Sequence, residues 1–355
     1  MKRYKVIQWA SGNVGQHALR ALIANPMYEL VGLWVSSPEK AGRDAGELAG
    51  LPPTGIIATN DADALLALDA DVVSYMAGAD SRPLEAVADW VRILESGKNI
   101  VTTSMAALTY PPAADPDMRR ALEAACVRGG ASLFNSGIDP GFGNDLIPLT
   151  LLGVCERVES VRVMEILDYS TYMQAHTLFE IMGFGKPLDE TPLLLLPGVL
   201  THAWGGVVRM IADAAGARLD EIREWHERLP AAHDFELNGM GIIARGTQAS
   251  LRFQLQGMVD GRAAIVIEHV TRTAADQAPD WPRGHGMGSY RIEIAGAPRI
   301  ACDFHLEGPD GDHNTGGLLA SALRVVNAIP AVVAAPPGLL SPLDLPLIVP
   351  KGVFG

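Results

Sequence analysis

Residues 4–18, YKVIQWASGNVGQHA, constrain this chain more than any other stretch. The apolar run at 5–9 predicts a buried strand. Gly12 and Gly15 follow directly, and a helical pattern opens at Asn13 or Val14. Strand, glycine turn and helix form the phosphate-cradling unit of dinucleotide-binding folds. The glycines let backbone approach a pyrophosphate, and the helix N-terminus offers free N–H groups. Gly12, Asn13, Val14 and Gly15 are therefore the expected pyrophosphate contacts. The first glycine of G-x-G-x-x-G is replaced by Ala10. An ordinary strand–turn–helix with glycines kept for packing has the same local signature; the position directly after the first strand favours the cofactor reading.

The next 130 residues alternate between strand and helix. Strands are predicted at 30–35, 56–59, 71–76, 99–103 and 132–135, and amphipathic helices at 81–95 and 116–129. That alternation predicts an α/β, doubly wound parallel sheet of the Rossmann kind. In such a fold an acid about 20 residues past the glycines binds the ribose 2′-hydroxyl. Here Ser36 and Ser37 stand in its place, with Lys40 and Arg43 just beyond. Two hydroxyls and two cations suit a 2′-phosphate, so NADP(H) is expected, with NAD(H) as the alternative if Glu39 takes the acid's role. Gly78 follows the 71–76 strand, where a loop passes the cofactor.

At 137–144, GIDPGFGN, the pattern changes: three glycines and a proline in eight residues mark a hinge. Beyond it, strands are predicted at 161–168, 251–257, 265–272, 290–294 and 300–307. Several alternate apolar and polar residues, as open antiparallel sheets do. Helices at 178–182 and 200–215 cover the apolar face. The organisation expected is a dinucleotide-binding domain at 1–145, an α+β substrate and dimerisation domain at 146–312, and a helix with a proline-rich tail at 313–355 returning to the first domain.

Composition narrows the function classes. A length of 355 residues with 48% apolar content suits two domains with large cores. The formal net charge of −13 argues against nucleic acid, whose footprint is a basic stripe. No apolar run reaches membrane-spanning length, and the first strand leaves no room for a signal peptide, so a cytoplasmic protein is expected. Cys126, Cys155 and Cys302 are odd in number and widely spaced, which fits neither a disulfide framework nor a zinc cluster. No metal site is expected.

Chemistry is expected in loops after the parallel strands and in segment 168–185, DYSTYMQAHTLFEIMGFG. Hydride transfer to a carbonyl or imine needs one group to donate a proton. Tyr169, Tyr172 and His176 are the candidates. Each residue alone also fits a packing or rim role. Asp139, Asp168, Met105, Ala106 and Phe179 are the expected pocket residues; Phe179 also sits at core helical spacing.

The ordered motifs WASGNVG, SPEKAGRDAG, NSGIDPGF, MGFG and RVVNAIPAV resemble the native amine dehydrogenases. Those enzymes are relatives of 2,4-diaminopentanoate dehydrogenase with the dihydrodipicolinate reductase architecture. The resemblance runs from Tyr4 to about Pro350. It implies a homodimer, an NAD(P) cofactor, a site between domains, and a last helix that brings Asn327 near the nicotinamide. Two departures stand out. The family's C-E-E-L-x-Y-P segment, whose glutamate handles ammonia, reads M-A-A-L-T-Y-P at 105–111. The E-x-H-H-x-x-K motif of true dihydrodipicolinate reductases is absent after Glu165. The expectation is an NAD(P)-dependent oxidoreductase acting on C=O or C=N of a small, mostly apolar substrate, ketone or alcohol favoured. The rivals are an amine dehydrogenase that recruits another acid, Asp139 or Asp168, and a dinucleotide-binding sensor without turnover.

Overall fold

A computed structural model describes residues 3–79 and 82–353. In chain order the elements are β1 (Tyr4–Trp9), α1 (Asn13–Ala24), β2 (Tyr28–Trp34), α2 (Ala45–Ala49), α3 (Ala62–Leu66), β3 (Val72–Tyr75), α4 (Pro83–Glu95), β4 (Asn99–Thr102), α5 (Pro116–Gly129) and β5 (Ser132–Asn135). There follow α6 (Leu146–Leu152), β6 (Arg157–Asp168), α7 (Val199–Ala214), β7 (Glu221–Pro230), β8 (Phe235–Glu236), β9 (Ile242–Ile243), β10 (Gln248–Val259), β11 (Arg262–Arg272), β12 (Gly288–Ala297) and β13 (Ile300–Phe304). The chain closes with α8 (His313–Val326), α9 (Ile329–Ala334) and β14 (Gly338–Leu340). Two compact units result: Met1–Asp139 with Leu318–Gly355, and Pro140–Gly317.

The first unit is a six-stranded sheet in the order β14-β5-β4-β3-β1-β2, every pair parallel. Continuous apolar strands bury both faces, as a parallel sheet with helices on each side requires. Ile7, Val73, Ile100 and Leu133 meet α4 and α5 residues such as Trp90, Ile93, Leu122 and Cys126. On the other face Val6, Val101 and Phe134 meet Ala18, Leu22, Val325, Ile329 and Val332. Asp115 caps α5, accepting from the backbone N–H groups of Asp117 and Met118, and Gly130 ends it in the left-handed conformation at φ 64°.

Three expectations are corrected here. Residues 56–59 form only isolated bridges, Thr59 to Trp34 and Ile57 to Asp44. The buried Asp44 carboxylate accepts from the N–H groups of Gly46, Thr54 and Gly55, and that wraps the segment into a loop. The sixth strand is instead β14, three residues from the proline-rich tail. It lies at the sheet edge, where the preceding prolines lose no ladder bond. The closing helix begins at His313 and gives way at Asn327–Ala328 to α9. By length and composition His313–Ala334 is also apolar enough to cross a membrane. The sequence expectation of no such run missed it because alanines and valines outweigh Asn327 and Pro330. Ala322, Val325, Ile329 and Val332 on this stretch are fully buried in the first unit's core. Ser81, placed at the start of the helix that is now α4, lies outside the described residues.

The second unit is a six-stranded mixed sheet, β13-β12-β6-β11-β10-β7. All neighbours are antiparallel except β6 and β11. One face packs on α7 through Val161, Val163, Leu251, Leu255, Ile265, Ile267 and Ile292 against Leu200, Val207, Val208 and Ile211. The other bears a charged triplet: Glu268, fully buried, accepts from Arg162 and from Arg252 Nε at 2.6 Å. Strand β7 was absent from the sequence reading. It is an edge strand with only Ile222 and Leu229 as aliphatics, so it has no apolar stripe to read.

One buried cation organises a loop of this unit. Arg272 donates to the carbonyls of Gln277, Ala278, Trp281 and Pro282 at 3.0–3.1 Å. Burial lowers its pKa to about 10. Replacing it leaves four carbonyls short of a donor. Arg272→Ala is expected to lower the unfolding free energy by about 2–4 kcal/mol, read as an earlier chemical-denaturation midpoint.

Candidate functional site

The glycine turn has the geometry a dinucleotide requires. Ala10, at the first-glycine position, has φ 75°. That left-handed backbone is the reason glycine is usual there, and alanine tolerates it at a cost of about 1 kcal/mol. A methyl on Gly15 would stand 2.5 Å from the Ala10 carbonyl oxygen, so α1 packs on β1 only because that side chain is missing. At Gly12 a methyl would meet nothing within 4 Å. Gly12 is the N-cap of α1 and no side chain caps the helix. The turn therefore presents free N–H groups and open space, which fits a pyrophosphate. Asn13 is exposed and Val14 half-buried beside it.

Past β2, Lys40 Nζ donates to the Ser11 carbonyl at 3.0 Å and lies 3.3 Å from its Oγ. This places a cation against the glycine turn. Ser37 Oγ donates to Glu39, which holds that carboxyl below its usual pKa. Ser36 and Arg43 are exposed. Gly78 has open space around its Cα, and its carbonyl accepts from Arg82 Nε at 3.1 Å.

Asn327 sits elsewhere. It lines a cavity of about 320 Å³ with Tyr4, Met27, Tyr28 and the tail residues Pro346 to Lys351. Tyr4 and Tyr28 begin β1 and β2, whereas the glycine turn follows the carboxyl end of β1. Midway along helix α8, nearer that carboxyl edge, Ser321 Oγ accepts from the Ile138 N–H at 3.2 Å. By Asn327 the helix has run on to the amino edge, where the Val326 carbonyl accepts from Tyr28 Oη at 2.9 Å. Asn327 thus stands apart from the glycine turn.

After β4, Ala106–Leu108 form a short 3-10 turn. Asn135 on β5 pins it, accepting from the Met105 N–H at 3.2 Å and donating to Thr109 Oγ1 at 3.2 Å. Met105 and Ala107 are buried, and Ala106 is half-buried. Asp139, also half-buried, is the last residue before the first unit gives way.

In the second unit, one rung of the sheet gathers polar groups that the sequence reading did not single out. Glu165 on β6 faces His269 on β11 and Tyr290 on β12 in direct register. Tyr290 Oη donates to Glu165 Oε1 at 2.7 Å, and His269 Nδ1 lies 2.9 Å from Oε2. The three are 7%, 5% and 1% exposed. Phe253 stacks on His269 with centroids 4.5 Å apart, Trp204 of α7 meets its edge at 4.7 Å, and Phe304 stacks on Tyr290 at 5.0 Å. Tyr169 and Tyr172 stack on each other at 4.7 Å. Burial, reinforced by the Glu165 charge, pushes the Tyr172 hydroxyl up to about 12. Burial lowers His313, and the Glu165 charge opposes that shift. Tyr169 and Tyr172 therefore belong with this cluster. The available signal was Glu165, an acid flanked by apolar residues in VRVMEILD; its meaning depended on which strands flank it.

The other expected residues of this unit do not join the cluster. His176 is exposed at the start of a π-helical turn, His176–Ile181. Phe179 is a wall of the apolar core, its ring against Gly185 and Gly241. Asp168 closes a local turn, accepting from the Ser170 N–H at 2.9 Å, and its own carbonyl accepts from Asn314 Nδ2 at 3.1 Å. Among the described residues, Asp310 and Asp312 are occupied in capping the start of α8 through Thr315.

A parallel sheet carrying this turn, followed by an α+β unit of this kind, defines an NAD(P)-dependent oxidoreductase. Residues 142–354 match the 2,4-diaminopentanoate dehydrogenase C-terminal domain. The chain is 42% identical over 344 residues to an amine dehydrogenase of Streptomyces virginiae, covering 96% of each. It is 27% identical over 368 residues to the 2,4-diaminopentanoate dehydrogenase of Acetoanaerobium sticklandii, covering 100% of this chain and 96% of that one. Among solved structures, an amine dehydrogenase from Mycobacterium smegmatis superposes with TM-score 0.79 at 20% identity, over 99% and 98% of the chains, and shares the fold. The chain belongs to the amine dehydrogenase family related to 2,4-diaminopentanoate dehydrogenase.

The two alanines of the 3-10 turn differ in what a carboxylate there would meet. Ala107 packs in the first unit's core with Leu108 and Leu122, whereas Ala106 is half-buried. Ala107→Glu is expected to destabilise by about 3 kcal/mol or more, since it buries an unpaired charge. Ala106→Glu is expected to fold with a thermal midpoint within a few degrees of the parent; calorimetry of the two variants separates them.

Proposed function

We propose that this protein is an NADP(H)-preferring amine dehydrogenase that interconverts a small, mostly apolar carbonyl compound and its primary amine. In the aminating direction one carbonyl compound, one ammonium ion, one NADPH and one proton give the primary ammonium product, NADP+ and water. The bound nicotinamide supplies or accepts the hydride. The chain's own residues do the rest. Gly12, Asn13, Val14 and Gly15 hold the pyrophosphate through backbone N–H groups, and Lys40, with Ser36, Ser37 and Arg43 near it, meets the 2′-phosphate. The reading rests on one observation above all: the second unit buries an acid, Glu165, among aromatic rings, in a chain whose close relative is an amine dehydrogenase. A water-poor wall of rings that carries an acid suits an apolar substrate with one polar nitrogen. Pairing with a second copy is supported by the outer face of the mixed sheet, where Arg162 and Arg252 stay partly exposed around buried Glu268.

A second reading is reduction of ketones, or oxidation of alcohols, without ammonia. It is favoured by Ala106 and Ala107, which stand where the family's glutamate pair is expected. NADPH consumption against a panel of apolar ketones, with and without ammonium, tells the two apart. Strict ammonium dependence is expected; equal rates without ammonium sink the amine reading. For the cofactor, Lys40→Ala is expected to weaken NADPH binding about tenfold and NADH binding less than twofold, measured by fluorescence titration.

A further inference from the structure

The mixed sheet of the second unit buries two glutamates in neighbouring rungs of adjacent strands, and they are treated differently. Glu268, fully buried, has Arg162 and Arg252 as ion-pair partners. Glu165 is nearly as buried and is held by Tyr290, a neutral donor, and by His269. Among the described residues no lysine or arginine is ion-paired with Glu165. A buried carboxylate without a fixed cation is short of counter-charge. Around it stand rings that attract cations on their faces: the stacked Tyr169 and Tyr172 pair, with Tyr172 close enough to feel the Glu165 charge, and Trp204 over His269. The cluster is directional as well. Both Glu165 oxygens are engaged, each from a different neighbouring strand, so the carboxylate plane is fixed.

We infer that Glu165 is the group that receives the substrate nitrogen, as ammonium or as the primary ammonium of the amine, and supplies the carboxylate that residues 105–107 lack. Tyr290 and His269 are its positioning residues. The inference rests on the amine reading above. Glu165 is the protein group in the proton chemistry. Its carboxylate takes one proton from ammonium, leaving ammonia, whose lone pair forms the C–N bond as the carbonyl π pair moves to oxygen; one N–H proton of the adduct then passes to that oxygen, giving the carbinolamine. Glu165 returns its proton to the carbinolamine hydroxyl, and the C–O bond breaks with release of water, leaving the iminium. The Glu165 carboxylate attracts a cationic ligand and repels an anionic one.

Calorimetric titration of the full-length protein with cyclohexylammonium and with cyclohexanecarboxylate tests the assignment without turnover. The parent is expected to bind the cation and not the anion. Glu165→Gln is expected to lose at least tenfold in affinity for the cation, with NADPH affinity within twofold of the parent. Its ammonium-dependent kcat/KM is expected to fall at least a hundredfold, with Glu165→Asp recovering part of it. Undiminished cyclohexylammonium binding by a folded Glu165→Gln overturns the assignment. If Glu165→Gln does not fold, Tyr290→Phe keeps the carboxylate and loses one donor; it is expected to raise the ammonium KM at least fivefold with kcat changed less than twofold, and an unchanged KM overturns the inference. Failure of the amine reading shows separately, as ammonium-independent NADPH consumption by the parent.

Discussion

The contact between Gly15 and the Ala10 carbonyl is the one on which the first unit turns. A methyl there would sit 2.5 Å from a backbone oxygen that has nowhere to go. Because it is missing, α1 lies directly on β1 and its N-terminus opens onto the carboxyl edge of the parallel sheet. Beside it, Ala10 has φ 75°, a conformation that glycine would adopt more readily. The departure from the glycine fingerprint at residue 10 is thus a side-chain substitution on an unchanged backbone. The open space at Gly12 and the Lys40 ammonium against Ser11 follow from that placement.

The second unit depends on a different constraint, the handling of charge inside a sheet. Strand β6 lies between β11 and β12, so one residue on it faces a partner on each side. At Glu165 those partners are His269 and Tyr290. On the opposite face, arginines from β6 and β10 converge on Glu268 of β11. Alternation of side chains along each strand keeps the two acids on opposite faces. One is matched by two arginines; the other is held by neutral or titratable donors among aromatic rings. This difference separates the two faces of the mixed sheet.

Much of the fold was legible because hydrophobic periodicity is a local property. Five strands of the first unit, the amphipathic face of α4, the Asp115 cap of α5 and five strands of the second unit all show in the residues themselves. The failures have physical causes. Residues 56–59 have strand composition, but Asp44 collects their neighbouring N–H groups into a loop. Strand β7 is an edge, so no burial pattern marks it. Strand β14 is too short to show a period. At the site, Tyr169 and Tyr172 could be picked out as polar aromatics after a strand. Glu165 could not, because an acid flanked by apolar residues acquires meaning only from its neighbours across the sheet. Asn327 was assigned to the nicotinamide through family likeness, and the length of α8 carries it to the opposite edge of the sheet.

The sequence by itself determined the parallel sheet, the glycine turn, the family and the alanines at 106 and 107. Each of these is written in residues adjacent along the chain. The tertiary structure alone decided which acid stands in the second unit's buried cluster. Glu165, His269 and Tyr290 lie on three strands more than a hundred residues apart at the extremes, and only strand order and register set them on one rung. It also decided that His176 faces solvent and that Phe179 serves the core. Side-chain direction depends on packing against elements distant in sequence, and no local pattern encodes it.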